Sequence, residues 1–316
     1  MESNFTLTDG ISGPVLATIL IVQIILALIA NGVVLSITFY QWKSLKLSST
    51  IFFTSVILAH LVLNLLYLPF RIIALAAGEW VFGSTNEEKK VTCTFAAFFF
   101  WWMVLVILMT VAAISFDRFL FIVKPQLHKR FMRSWVALTL TIAIWILSAA
   151  LSNVHIFAFH LYIAICIRPS NSIGLITILG IIFVTSLWTF CFTRSFFKNQ
   201  SVIAAGSVYA SKKKRLFGVF GSMLLIYGIC FVPGFLYFFL SLFIDVPVWF
   251  ETFAIICFDF ITVANPIIQS YFRPEIKTLA LIAYGAVVTI YPTLSKEILF
   301  KQSLLYHYLL PLHLLE

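Results

Sequence analysis

The residues able to do chemistry in this chain are few, and they lie in apolar surroundings. Asp117 and Arg118 stand side by side in AISFDRFLF, the run from Ala113 to Phe121. Asp259 is the lone charge in ICFDFITVANP, and His60 interrupts VILAHLVLNLL. Asn31 and Asn265 are amides in further apolar stretches. None of these assembles a hydrolytic or redox centre. The chain has no Gly-rich phosphate loop, G-x-S-x-G, H-E-x-x-H or C-x-x-C, and no Cys/His cluster at metal spacing. No cofactor or metal is expected, and no enzymatic activity. An arginine in a sparsely hydrated crevice needs a partner, and an adjacent acid supplies one.

The elements that position these groups follow from composition. Of 316 residues, 62% are hydrophobic and 10% charged, against roughly 25% charged in a soluble domain. A bilayer core needs about 20 apolar residues per helical span. Seven apolar segments are long enough: 14–40, 49–75, 91–123, 134–159, 173–197, 213–243 and 249–271. The expected fold is an all-α membrane protein, a seven-transmembrane helix bundle. Residues 1–13 form a short extracellular N-terminus and 14–271 the bundle. A short amphipathic helix follows the seventh span at 272–287, on the membrane surface, and 288–316 form a cytoplasmic tail.

Charge sets the orientation. With the N-terminus outside, every Lys and Arg falls on the inner side except Arg71, Lys89, Lys90 and Arg168. The basic balance, net +9, therefore reads as topology and contact with anionic membrane lipid, not as nucleic-acid binding. Asn4-Phe5-Thr6 is a glycosylation sequon on the outer side, and Asn199-Gln200-Ser201 is one on the inner side, where it stays unmodified. Cys93 and Cys166 lie near the oxidising outer face, where they either pair or remain two thiols; Cys191, Cys230 and Cys257 lie in or near spans.

The motifs then fall in a definite order. Ala30-Asn31-Gly32-Val33-Val34 lies in the first span, Leu58-Ala59 and Leu68-Pro69-Phe70 in the second, and Trp80-Val81-Phe82-Gly83 in the first outer loop. Cys93 opens the third span and Asp117-Arg118-Phe119 closes it, with Lys124-Pro125 after them. Trp145 is central in the fourth, Cys230-Phe231-Val232-Pro233 lies in the sixth, and Asn265-Pro266-Ile267-Ile268-Gln269 ends the seventh before Phe272-Arg273. This series resembles the rhodopsin-like (class A) G-protein-coupled receptors, over about residues 20–280, as a divergent, orphan-type member.

The resemblance implies a plasma-membrane receptor that binds an unknown small extracellular ligand in its bundle and activates a heterotrimeric G protein. Asp117 would hold Arg118 at rest and release it on activation, or the pair merely anchors the helix end. Cys93 would be tied to Cys166. Pro233 would kink the sixth helix as a pivot, beneath Phe231 where tryptophan is usual. Asn31 and Asn265 would bridge helices, with or without a switching role. The ligand pocket would be lined by Phe100, Val104, Phe231, Phe235, Phe238 and Asp259, with Arg71 and Arg168 at its outer end. Asp259 is then either a functional acid or one that is protonated or internally paired.

The chain departs from the family pattern at several positions. His60 stands where an aspartate is usual and Ile107 where a serine is, so no sodium site is expected. His60 is either pH-sensitive or a neutral, hydrogen-bonded core residue. Gln269 and Trp188 replace two tyrosines, and Gly180 replaces a proline. Lys213 stands where an acid often meets the arginine, leaving Arg118 to rest on Asp117 alone, with raised basal activity expected. Two rivals remain: a non-signalling seven-helix decoy or dimer partner, and a transporter or channel.

Overall fold

The computed structural model describes residues 13–40, 48–159, 208–241, 243–244 and 246–272, together with the helical positions 180, 184, 187, 188, 191 and 195. Asn4, the fifth span as a continuous segment, Cys166, Arg168, the expected surface helix beyond Phe272 and the tail lie outside the described residues. The side chains of Phe238 and of Lys212 to Arg215 do so too.

The described residues are helical throughout, with short connections. In chain order they are α1 (Gly13–Tyr40), α2 (Ser48–Leu66), α3 (Leu68–Ala77), α4 (Asn86–Val123), α5 (Pro125–Phe131), α6 (Ser134–Phe159), α7 (Val208–Leu240) and α8 (Val248–Phe272). Five stretches among them are long and apolar enough to cross a membrane: Gly13–Tyr40, Ser48–Ala77, Asn86–Phe121, Ser134–Asn153 and Trp249–Ser270. A shorter apolar helical stretch, Leu225–Tyr237, belongs to the sixth span.

The described helices present apolar outer faces, and the interior holds an apolar core together with the buried polar side chains. On α1 the buried residues are Gly13, Leu16, Ala17, Leu20, Gln23, Ala27, Asn31, Val34 and Thr38, one stripe at helical spacing. Val15, Ile19, Val22, Ile25, Leu26 and Ile29 face outward. A helix in water would not leave so many large apolar side chains on its outer face. In lipid the apolar side chains need no burial, and amides and hydroxyls turn inward to find partners.

Several boundaries differ from the sequence expectation, each for a local reason. The second span divides at Tyr67, because Pro69 enters within the first turn of α3 and cannot donate to the preceding turn. Gly78 closes α3 in a left-handed conformation at φ 76°. The third span starts earlier than 91, at Asn86. Thr85 caps it, accepting from the Glu88 amide at 3.2 Å, while Glu88 accepts from the Ser84 amide at 2.7 Å. The connection after the third span, which carries Lys124-Pro125, holds α5, with Pro125 in its first turn. α7 begins at Val208 and runs helically through Pro233.

Helices α2 and α4 form the centre, and α8 packs extensively against both α7 and α1. Trp145 ties three helices. Its indole donates to Ser55 Oγ on α2 at 2.9 Å, and its carbonyl accepts from the Trp102 indole on α4 at 3.0 Å.

Candidate functional site

Near the C-terminal end of α4 the Asp117 carboxylate is almost wholly buried and serves three neighbours. Its Oδ2 lies 3.3 Å from Arg118 Nη2, and both side chains are at most 5% exposed. Arg118 Nη2 nevertheless makes no properly oriented hydrogen bond. The reason is geometric: successive residues on a helix point about 100° apart and do not face each other. The contact is therefore ionic and poorly aligned. The better-aligned contacts go to Asp117 Oδ1, which accepts from Ser48 Oγ at 2.8 Å and meets His128 Nε2 at 3.0 Å. A carboxylate only accepts, so the proton of this bond sits on Nε2.

Ser48 opens α2 and His128 lies in α5, so one buried acid joins three elements. His128 also sets its ring edge-on to Phe121, with centroids 5.2 Å apart. Sequence reasoning named Asp117 and Arg118 but missed Ser48 and His128. The signal was present in Lys124-Pro125-Gln126-Leu127-His128: proline starts a helix, and histidine follows one turn later. Phe119, the third member of the motif, stacks on Phe116 at 6.5 Å.

On α8, Pro266 has no N–H, so the carbonyl of Thr262 four residues earlier loses its helical donor. Asn31 replaces it from α1. Its Nδ2 donates to the Thr262 carbonyl at 2.8 Å and to the Ala27 carbonyl at 2.7 Å. Asn265 and Gln269 are both buried, and Gln269 Nε2 donates to Asn265 Oδ1 at 3.3 Å within the same helix. Trp188 is 68% exposed.

The centre of the bundle carries a chain of rings. Tyr67 meets Phe100 at 4.8 Å, Phe100 meets Phe258 at 5.4 Å, and Phe231 stands edge-on to Phe258 at 5.2 Å. Phe231 also stacks on Tyr227 at 5.8 Å, two residues before Pro233. Val104 is buried in the same core. Phe235 is placed differently. It is 38% exposed, stacks on Phe239, and approaches Gly180 of the fifth span, whose Cβ would lie 3.5 Å from its ring.

Asp259 follows Phe258 and is fully buried; neither carboxylate oxygen has a hydrogen-bond partner among the described residues. Arg71 donates from Nη1 to Tyr67 Oη at 3.1 Å. Ile107 is buried, and His60 is fully buried with both ring nitrogens unpartnered among the described residues. The expectation of a hydrogen-bonded core histidine is corrected in that respect. Polar side chains lie nearby in the chain, but Asn64 donates to the His60 carbonyl at 2.8 Å and leaves the ring alone. Among the described residues no three His, Cys, Asp or Glu side chains gather as a metal site.

In the N-terminal part of α4, Cys93 is buried and disulfide-bonded, while Cys191, Cys230 and Cys257 are free. Trp80 is buried and donates from its indole at 3.0 Å to Oγ1 of Thr92, the residue before Cys93, and Phe82 packs edge-on against Phe70 at 4.8 Å.

Comparison with known proteins agrees with this architecture. Residues 30–269 match the 7 transmembrane receptor (rhodopsin family). Two relatives are G-protein coupled receptor 161 of Mus musculus, 27% identical over 145 residues, and its Homo sapiens counterpart, 27% identical over 146 residues. Each alignment covers 46% of this chain and 26% of the relative, so the chain spans about a quarter of the length of the curated relatives it matches. With that match across most of its length and long helices whose outer faces are apolar, the chain belongs to the rhodopsin family of seven-transmembrane receptors.

Proposed function

We propose that the chain is a plasma-membrane receptor, N-terminus outside, which binds a small extracellular ligand in its bundle and activates a heterotrimeric G protein. One observation carries this reading most directly. Arg118 is buried at the inner end of α4 against an acid that is itself held by Ser48 and His128. An arginine so confined is a stored contact: once the inner ends separate, its guanidinium becomes free to face a cytoplasmic partner. The relatives are named as G-protein coupled receptors; the extension of that coupling to this chain is our proposal. Pro233 and Phe231 would form the pivot above it. Cys166 would be the partner of Cys93, and Asn4 would be glycosylated.

Activation follows from differential affinity. The ligand shifts the equilibrium only as far as it binds the active form better than the resting one. The test is basal and ligand-evoked activation across the G-protein subtypes in cells with matched surface expression, with Arg118→Ala beside the parent. Signal in the parent that disappears in the variant supports coupling through Arg118. A signal unchanged in the variant overturns that assignment.

A second reading, a non-signalling seven-helix protein acting as a decoy or dimer partner, is favoured by Gln269. Its amide bonds within its own helix, and Trp188 is exposed, so these two replacements do not join the inner ends of the fifth and seventh spans. Silence at full surface expression in both parent and variant, with every G-protein subtype supplied, favours this reading.

A further inference from the structure

One carboxylate, that of Asp117, holds two basic side chains. Its Oδ2 lies 3.3 Å from Arg118 Nη2, while its Oδ1 lies 3.0 Å from His128 Nε2 and accepts from Ser48 Oγ at 2.8 Å. Asp117 and Arg118 are buried, but the His128 side chain is 19% exposed, so protons can reach it. Of the three partners only His128 changes charge near neutral pH. Arg118 stays charged, Ser48 stays neutral, and a histidine titrates between about pH 5 and 8. The surrounding charges are fixed. Asp117 and Arg118 are the only charged residues between Lys90 and Lys124 on α4, the helix against which α5 packs among the described residues. On α2 the facing group is Ser48. On and beside α5, Lys124, Lys129, Arg130 and Arg133 are all exposed, and water and salt screen them.

The neutral ring donates its Nε2 proton to Asp117, so a second proton enters at Nδ1. With His128 neutral, the charges of Asp117 and Arg118 cancel. With His128 protonated, two cations share one anion, and the cluster is left with an uncompensated positive charge. Burying such a charge is costly. The contact geometry decides which cation keeps the acid. His128 makes a hydrogen bond to Oδ1, and protonation makes that bond charge-assisted at both ends, which strengthens it. Arg118 Nη2 makes no properly oriented hydrogen bond. Arg118 is therefore the partner more easily displaced, and its departure restores neutrality.

We infer that His128 is a proton-responsive positioning residue: once protonated, it takes over the Asp117 carboxylate and Arg118 is released. The inference deepens the proposed function and rests on that reading for the meaning of the release. The sign follows from linkage. In the resting form Arg118 repels the added proton across the shared carboxylate; in the released form it does not. The released form therefore holds the proton more tightly, and acid favours the form with the greater proton affinity. Basal G-protein activation rises as the pH around α5 falls.

The experiment has two arms. In the first, the full chain with isotope-labelled histidine sits in lipid nanodiscs with no G protein. The His128 ring signal, assigned by its loss in His128→Gln, is followed by NMR from about pH 5 to 8. Arg118→Gln removes the competing cation and should raise the His128 titration midpoint by at least about half a pH unit. By reciprocity that shift is roughly a threefold bias toward release. Asp117→Asn removes the acid and keeps Arg118, so it should lower the midpoint. In the second arm, basal activation of added G protein is measured in membranes at about pH 6.3 and 7.5, on either side of the ordinary histidine midpoint. The parent should gain at least about twofold more on acidification than His128→Gln, whose amide donates to Asp117 but does not titrate. A midpoint unmoved or lowered in Arg118→Gln overturns the inference. So does a G-protein signal that responds equally to pH in the parent and in His128→Gln. The expected midpoint shifts with silent G-protein assays would leave the exchange at Asp117 standing and remove the receptor reading. Coupling through Arg118 with an unmoved midpoint would do the reverse.

Discussion

His128 Nε2 lies 3.0 Å from Asp117 Oδ1, so the short helix after the third span is fastened to the charge pair that ends it. The same oxygen accepts from Ser48 at 2.8 Å. Replacing His128 by phenylalanine keeps the ring contact with Phe121 and deletes the hydrogen bond. Because His128 is 19% exposed, water partly replaces the lost bond, and about 1 kcal/mol is expected. Hydrogen exchange across 125–131 should quicken roughly fivefold in His128→Phe, while the centre of α4 keeps its protection. Unchanged exchange in that segment would show that α5 is held by other contacts.

Asn31 and Pro266 form a second, independent relationship, and it can be tested by rescue. Asn31→Ala leaves the buried Thr262 carbonyl without a donor, which should cost about 1–2 kcal/mol. Pro266→Ala returns the missing N–H to that carbonyl. The loss on Asn31→Ala should therefore shrink in the Pro266→Ala background, measured as the thermal midpoint in detergent. Additive losses would mean that Asn31 acts through its Ala27 contact instead.

These relationships mark what was legible in the sequence and what was not. Apolar run length found the spans, because lipid imposes a length that water does not. The division at Tyr67 was implicit in Pro69. The start of α4 was written in Thr85-Asn86-Glu87-Glu88, a capping pattern hidden by the search for apolar residues. Asp117 and Arg118 were visible because charge in an apolar run is rare. Ser48 and His128 were not, since a hydroxyl and an imidazole near an interface look like ordinary loop polarity until the fold brings them to one oxygen. Phe235 was assigned to the pocket by position, yet helix rotation turns it toward the fifth span. Sequence spacing fixes depth along a helix better than the face presented to a neighbour.

Gly83 adopts φ 134°, a conformation that side chains rarely tolerate. A Cβ there would also lie 2.6 Å from the backbone nitrogen of Lys89 in the first turn of α4. Gly83→Ala should therefore destabilise the loop between α3 and α4 by about 1–3 kcal/mol, loosening the packing of Phe82 on Phe70. Lower surface expression and a lower unfolding midpoint are expected, with Gly32→Ala as the control. A Cβ at Gly32 meets no neighbour within 4 Å, so that variant should behave as the parent. Equal behaviour of the two variants would refute the steric account.

Trp145 holds α6 to α2 through one hydrogen bond and to α4 through ring packing, and the two contributions can be separated. Its indole donates to Ser55 Oγ at 2.9 Å, while its ring meets Trp102 edge-on at 5.9 Å. Trp145→Phe keeps an aromatic ring against Trp102 and removes the donor. Interhelical hydrogen bonds in membranes are worth about 0.6 kcal/mol on average and up to about 1.7, so a loss near 1 kcal/mol is expected. Ser55→Ala should cost a similar amount alone and almost nothing further when combined with Trp145→Phe, because both delete the same bond. The carbonyl of residue 145 still accepts from the Trp102 indole in every variant, which keeps α4 and α6 joined. Thermal midpoints of the parent, the two single variants and the double variant check this. Fully additive losses would mean that Trp145 contributes by bulk and that its bond to Ser55 carries no stability of its own.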